Sequence, residues 1–139
     1  MPTRQELKDL ARLRLREAEA LFAAGCYNGA VYLCGYAVEV ALKARICRLL
    51  GVESYPEGGR IKGAYAVHDL DQLLLLAGLR EKIGLQEEPL FKNWGTTVPW
   101  NPDLRYRPPG TISRPEALVI LDAIRHPKHG VLRWIKNYW

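Results

Sequence analysis

Apolar residues recur along the first part of the chain at intervals of three and four. Leu7, Ala11, Leu15, Ala18 and Phe22 form one seam, flanked by Leu10 and Leu21, which predicts an amphipathic helix from Arg4 to Ala24. On another face Arg4, Lys8, Arg12 and Arg16 step by four and make a basic stripe, diluted by Asp9, Glu17 and Glu19. Gly25 stands where a C-terminal cap belongs, and the short connection after it makes the next helix an antiparallel neighbour.

That second helix, Asn28 to Leu50, is apolar nearly all round until Lys43, so it belongs at the centre of the core or in a subunit interface. Gly29 and Gly35 inside it each cost about 1 kcal/mol against Ala, which predicts close approach of a neighbouring helix. Pro56, Gly58, Gly59 and Gly63 make residues 51–67 a loop. Asp69 with Gln72 reads as a capping box that opens a third helix, running through Leu73 to Leu76 towards Gly78 or Lys82. A short helical turn is predicted between Gln86 and Trp94, and residues 95–110 have prolines and charges without periodicity. Ser113 with Glu116 opens the last helical segment, which carries Ala117, Leu121, Ile124, Val131, Ile135 and Tyr138. Pro127 and Gly130 should kink or split it near His126. No run alternates with period two. The pattern predicts an all-α fold: an up-down bundle of four main helices, with a long ordered loop between the third and the last, in one domain over residues 1–139.

Composition adds a sign. Lysine and arginine number 20 against 15 acids, a net charge of +5 with a pI near 9.2. That balance suits an anionic partner such as RNA, DNA or a nucleotide phosphate, and equally a solvated basic surface. Cys26, Cys34 and Cys47 are an odd number without CxxC spacing in apolar surroundings, expected to be buried free thiols in a reducing cytosol. The charged N-terminus has no secretory h-region, and the best apolar run is broken by Glu39, Lys43 and Arg45, so no membrane span is expected and a cytoplasmic location is. Three histidines without HExxH or Cys–His spacing predict no metal site, and PEGGR at 56–60 lacks the spacing of a phosphate loop, so no cofactor is expected.

Glu39 is the one acid in an apolar helix. Lys43, four residues on, is an ion-pair partner on the same face. A buried carboxylate needs a cation or several donors, and Arg105 and Arg107 in LRYRPPG are the remote candidates for a guanidinium fork. The expectation is a structural ion pair of Glu39, Lys43 and Arg105 that pins the long loop to the bundle. His68, just before the cap Asp69, is expected to anchor that turn.

The segment AGCYNGAVYLCGYAVEVALKARIC at 24–47, with HDL at 68–70, NW at 93–94, RY at 105–106 and GVLRWI at 130–135, resembles the HEPN domain family of bacteria and archaea. The core of the likeness is Glu39, Leu42 and Lys43 in the second helix. The resemblance implies a four-helix bundle that dimerises, often beside a small nucleotidyltransferase in a toxin–antitoxin pair. It also implies, for many members, metal-independent RNA cleavage by an Arg and a His with four to six residues between them, the His handling protons and the Arg the phosphate charge. The nearest match here is Arg125, His126 and His129 in RHPKHG, where only three residues separate Arg125 from His129.

Two readings stay open. In one, the chain is a dimeric helical module that binds RNA, a nucleotide or a nucleotidyltransferase partner, with Arg105, Arg107, Lys128 and Lys43 as anion contacts. In the other, it is a metal-independent endoribonuclease that uses Arg125 and His129, with His126 beside them. Whether the chain is an enzyme turns on that shortened motif.

Overall fold

The computed structural model describes residues 2–58 and 62–139. Their order is α1 (Arg4–Ala23), α2 (Tyr27–Leu50), α3 (Lys62–Tyr65), α4 (Leu70–Leu76), α5 (Arg80–Ile83), α6 (Glu88–Thr97), a 3-10 turn (Pro102–Tyr106), α7 (Arg114–Arg125) and α8 (Val131–Lys136). The fold is all-α, and pairing between Thr3 and Ser54 is an isolated bridge rather than a strand. No helix among the described residues is long and apolar enough to cross a membrane.

Helices α1, α4 and α7 each start on a side-chain cap. The Thr3 hydroxyl accepts from the Glu6 amide at 3.1 Å, while the Glu6 carboxylate accepts from the Thr3 amide at 2.7 Å. This reciprocal box satisfies two of the unpaired donors at the start of α1. At α4 and α7 the cap is one-sided: Asp69 accepts from the Gln72 amide at 2.9 Å and Ser113 from the Glu116 amide at 3.2 Å. The Glu116 carboxylate turns instead towards Arg107, 3.8 Å away.

Helix α2 is the axis of the bundle. Val31, Cys34, Val38, Ala41, Leu42 and Ile46 are buried on different sides of it, packed by α1, α4, α7, α8 and the 3-10 turn. Its all-round apolarity is therefore satisfied largely within this chain. Leu7, Ala11 and Ala18 supply the wall from α1, Leu121 and Ile124 from α7, and Val131 and Ile135 from α8.

Gly35 is where the chain most needs a missing side chain. A Cβ there would run into the indole of Trp100, whose Nε1 donates to the Tyr32 carbonyl at 3.2 Å. The neighbour is thus a tryptophan after α6 and not the helix that the glycine predicts. Gly29 faces α1 as expected, with Leu21 Cδ1 3.1 Å from where a Cβ would sit.

Several elements differ from the periodic reading. The third helix breaks at Gly78, whose φ of +69° admits a left-handed turn, so α4 and α5 are separate. The short turn expected before Trp94 is a longer helix, α6, opened by Pro89 in its first turn. Two segments expected as loop hold α3 and the 3-10 turn. The last helical segment is fully interrupted between Arg125 and Val131. Cys34 and Cys47 are buried free thiols, and burial pushes Cys34 up to about 12. Cys26 is exposed, because the residue that precedes α2 lies at the bundle's end and not in its wall.

Candidate nucleic-acid interface

Glu39 is 1% exposed, and both of its partners meet one oxygen. Lys43 Nζ donates to Oε1 at 3.0 Å, and Nδ1 of His68 stands 2.7 Å from the same atom. The Lys43 ammonium also lies 5.2 Å from the centre of the Tyr55 ring. Oε2 is buried with no hydrogen-bond partner. Burial first, and the Glu39 charge second, push the Tyr36 hydroxyl above its ordinary value.

Arg105 is not the third member of this cluster. Its guanidinium lies on the exposed 3-10 turn, 4.8 Å over the Tyr106 ring. Arg107 donates to the Thr111 carbonyl at 3.2 Å and faces Glu116. The long loop is pinned by neutral groups: Asn28 Nδ2 donates to the Pro108 carbonyl at 3.0 Å, and Asn28 Oδ1 accepts from the Ile112 amide at 3.1 Å. With Trp100 on Gly35, these contacts hold the loop on the N-terminal half of α2, short of Glu39. His68 takes the place assigned to Arg105. Lys43, consumed by a buried pair, is not free to meet a phosphate.

The RHPKHG segment forms a built turn. Arg125 Nε donates to Asp122 Oδ1 at 3.0 Å. Nδ1 of His126 accepts from the amides of Lys128 at 3.1 Å and His129 at 2.9 Å, so the neutral ring carries its proton on Nε2. The rings of His126 and His129 stack, 5.4 Å apart at 25°. Asn93 of α6 donates to the His129 carbonyl at 2.8 Å and holds the turn from outside. Gly130 closes it, because a Cβ there would come within 2.5 Å of the His126 carbonyl oxygen.

This turn divides the expected catalytic residues. Arg125 and His126 line a cleft of about 240 Å³ with Arg133 and Lys136. His129 and Lys128 line another, of about 280 Å³, with Arg133 and Trp134. Arg133 is common to both.

From Arg133 the positive charge continues across to α1. Lys8, Arg12 and Lys136 approach the Trp139 ring at 5.5, 4.8 and 5.8 Å. Arg4 Nη2 donates to the Trp139 carbonyl at 2.8 Å. Desolvation, then the charges of Arg4, Arg12 and Arg48, hold Lys8 below its ordinary value, with Asp9 alone opposing. Lys136 is lowered by burial and then by Arg12 and Arg133. The basic stripe legible on α1 is therefore half of a longer ridge. Its other half, Arg133 and Lys136, lies more than a hundred residues away, and only packing joins them.

A family model described as the HEPN domain matches residues 5–88, more than half of the chain. The chain belongs to the HEPN domain family. No curated protein and no solved structure matches it. The HEPN match takes in Glu39, Lys43 and His68 and ends at Glu88, ahead of the 105–107 loop and the RHPKHG turn. Among the described residues of this HEPN domain no three His, Cys, Asp or Glu side chains gather as a metal site would require.

Proposed function

We propose that this HEPN domain binds RNA along the basic ridge of α1 and α8. The observation that carries the reading is that Lys8, Arg12 and Lys136 converge on the Trp139 ring, where burial first and the neighbouring arginines second disfavour the charge of both lysines. Like charges held together cost stability, and a phosphate backbone would neutralise them while releasing counterions. Lys128 adjoins the ridge through Arg133, whereas Arg105 and Arg107 lie off it on the exposed loop. The test is single-stranded RNA binding across a salt series, with Arg12→Glu/Lys136→Glu. Affinity should fall at least about tenfold, and the slope of log K against log salt should flatten by about 0.7 for each phosphate no longer neutralised. Equal affinity and slope in the variant would sink the ridge as the binding face.

A metal-independent endoribonuclease is the second reading, favoured by the stacked His126–His129 pair beside Arg125. Cleavage of RNA in EDTA, abolished by Arg125→Ala and by His129→Ala with folding intact, is its expected signature. Cutting indifferent to both changes would dismiss it.

We further propose that the module acts as a homodimer, or with a nucleotidyltransferase partner in a toxin–antitoxin or defence system. The family supports this, and so do Leu49, Leu50, Val52 and Leu75, which are exposed at the end of α2 and on α4. Sedimentation of Leu75→Asp should show a lighter species than the unaltered chain, and identical profiles would remove this patch from the interface.

A further inference from the structure

An apolar recess opens where the long loop meets α2. Val31, Trp100, Leu104, Ile112 and Ile120 line it, and its volume is about 180 Å³. An apolar cavity of about 150 Å³ is enough to hold benzene, so this one has room for a single ring or a branched aliphatic side chain. Its walls are fixed before any ligand arrives. The Trp100 indole is seated on Gly35 and donates to the Tyr32 carbonyl at 3.2 Å, with the Tyr32 ring stacked 6.2 Å away. Leu104 stands on the 3-10 turn that Asn101 caps, and the Ile112 amide is tied to Asn28 at 3.1 Å. Walls ordered in advance spare a ligand the cost of ordering them.

Two opposite charges stand at the same recess. Arg107 and Glu116 both line it, and both are exposed. Their closest atoms are 3.8 Å apart, too far for a hydrogen bond, and an exposed pair of this kind contributes little. Arg107 Nη2 donates to the Thr111 carbonyl at 3.2 Å, while Nη1 has only the distant Glu116 among the described residues. Glu116 gives its backbone amide to Ser113 but turns its carboxylate away from that cap and towards Arg107. A guanidinium and a carboxylate side by side, next to an apolar recess, match a small molecule that carries both charges and one apolar group.

We propose that this recess is a binding site for a free α-amino acid with a branched or aromatic apolar side chain. The carboxylate of the ligand meets the Arg107 guanidinium, its ammonium meets Glu116, and its side chain enters between Trp100 and Ile120. An amino acid bears both charges on the carbon that carries the side chain, so the three contacts form together. The ligand replaces a loose, solvated ion pair with two charge-assisted hydrogen bonds, and its apolar group leaves water. A phosphate group offers no cation to Glu116 and is repelled by it. The site is therefore separate from the basic ridge, and it stands or falls independently of RNA binding.

The experiment is a titration of the full chain with L-leucine and with L-phenylalanine, following the Trp100 indole N–H by NMR, assigned by its loss in Trp100→Phe. A saturable shift with either amino acid is expected. L-alanine, which buries three carbons fewer than leucine, should bind at least about tenfold more weakly. N-acetyl-L-leucine lacks the ammonium and L-leucinamide the carboxylate, and each should lose about tenfold, the scale of one hydrogen bond between charged groups. Leucine should lose as much with Arg107→Gln and with Glu116→Gln. Arg107→Gln also gives up the Thr111 contact, so Glu116→Gln, which gives up none that holds the walls, is the deciding variant. Ile120→Phe fills the recess and should abolish the shift, with the other indole signals unmoved to show that the chain is folded. No saturable shift with either amino acid overturns the proposal. So does equal affinity for leucine and its two blocked forms, or undiminished binding in Glu116→Gln.

Discussion

The imidazole of His68 and the carboxylate of Glu39 meet at 2.7 Å, although 29 residues separate them in sequence. Lys43 reaches the same carboxylate oxygen from one turn further along α2, so two donors from different parts of the chain converge on a side chain that is 1% exposed. The triad ties the segment ahead of α4 to the central helix, and its burial makes it sensitive to the loss of one charge.

Glu39→Gln should destabilise the fold by about 3 kcal/mol, because it leaves the Lys43 ammonium buried without an anion. Replacing both, as in Glu39→Leu/Lys43→Met, should recover most of that loss. His68→Ala should cost about 1 kcal/mol or less, since the ring is 60% exposed and surrenders one hydrogen bond. Urea midpoints measure all three, and an unmoved midpoint in Glu39→Gln would refute the anchoring role.

Gly35→Ala tests the packing of α2 against Trp100. The added methyl must displace a buried indole, so a loss of about 1–3 kcal/mol is expected. A red shift of tryptophan emission should accompany it as Trp100 moves towards solvent. A variant as stable as the parent with unchanged emission would mean that the indole is not held there.

The alkaline limb of stability should depend on Cys34. In the unfolded chain this thiol ionises near 9.0, while burial in the fold pushes it up to about 12. Between those values the unfolded state has given up a proton that the native state keeps, so stability falls as pH rises, by up to about 1.4 kcal/mol per pH unit. Tyr55 and Cys47 are raised by burial and act in the same direction, whereas the lowered Lys8 and Lys136 also bind fewer protons when folded and act against it as pH approaches 10.5. Cys34→Ala should therefore make the decline above about pH 9 shallower without removing it. Urea midpoints on either side of that pH decide the matter, and parallel slopes in the two proteins would contradict it.

The ridge should trade stability for binding. Lys8→Gln/Lys136→Gln removes two charges that burial first and their arginine neighbours second disfavour, so the melting temperature at low salt should rise or hold while RNA affinity falls. The rise should shrink as salt screens the ridge. A lower melting temperature with unchanged RNA affinity would mean that these lysines serve packing and not the ligand.

What can be read from local spacing follows a physical rule. The apolar seam of α1, the all-round apolarity of α2, the caps at Asp69 and Ser113 and the break at Pro127 all depend on residues within a turn or two of one another. The Thr3–Glu6 box is equally local, and its T-x-x-E signature stands in the chain as plainly as those at Asp69 and Ser113. The Glu39–Lys43 pair is legible for the same reason. Interruptions that depend on tertiary space, such as Gly78 between α4 and α5, are less so, and α6 runs longer than its local pattern because its apolar face is set by what it packs on.

Long-range chemistry obeys a different rule. Spacing shows that Glu39 needs a partner and can nominate cations, but the choice of His68 over Arg105 is made by where Asn28 and Trp100 hold the long loop. The basic stripe of α1 is visible from its period of four, while its union with Arg133 and Lys136 comes only where the Trp139 ring gathers Lys8, Arg12 and Lys136. Likewise the RHPKHG residues are adjacent in the chain, yet the turn capped by His126 sends Arg125 and His129 into separate clefts. Periodicity reports which residues share a face of one helix; which faces meet is decided by packing between elements far apart in sequence.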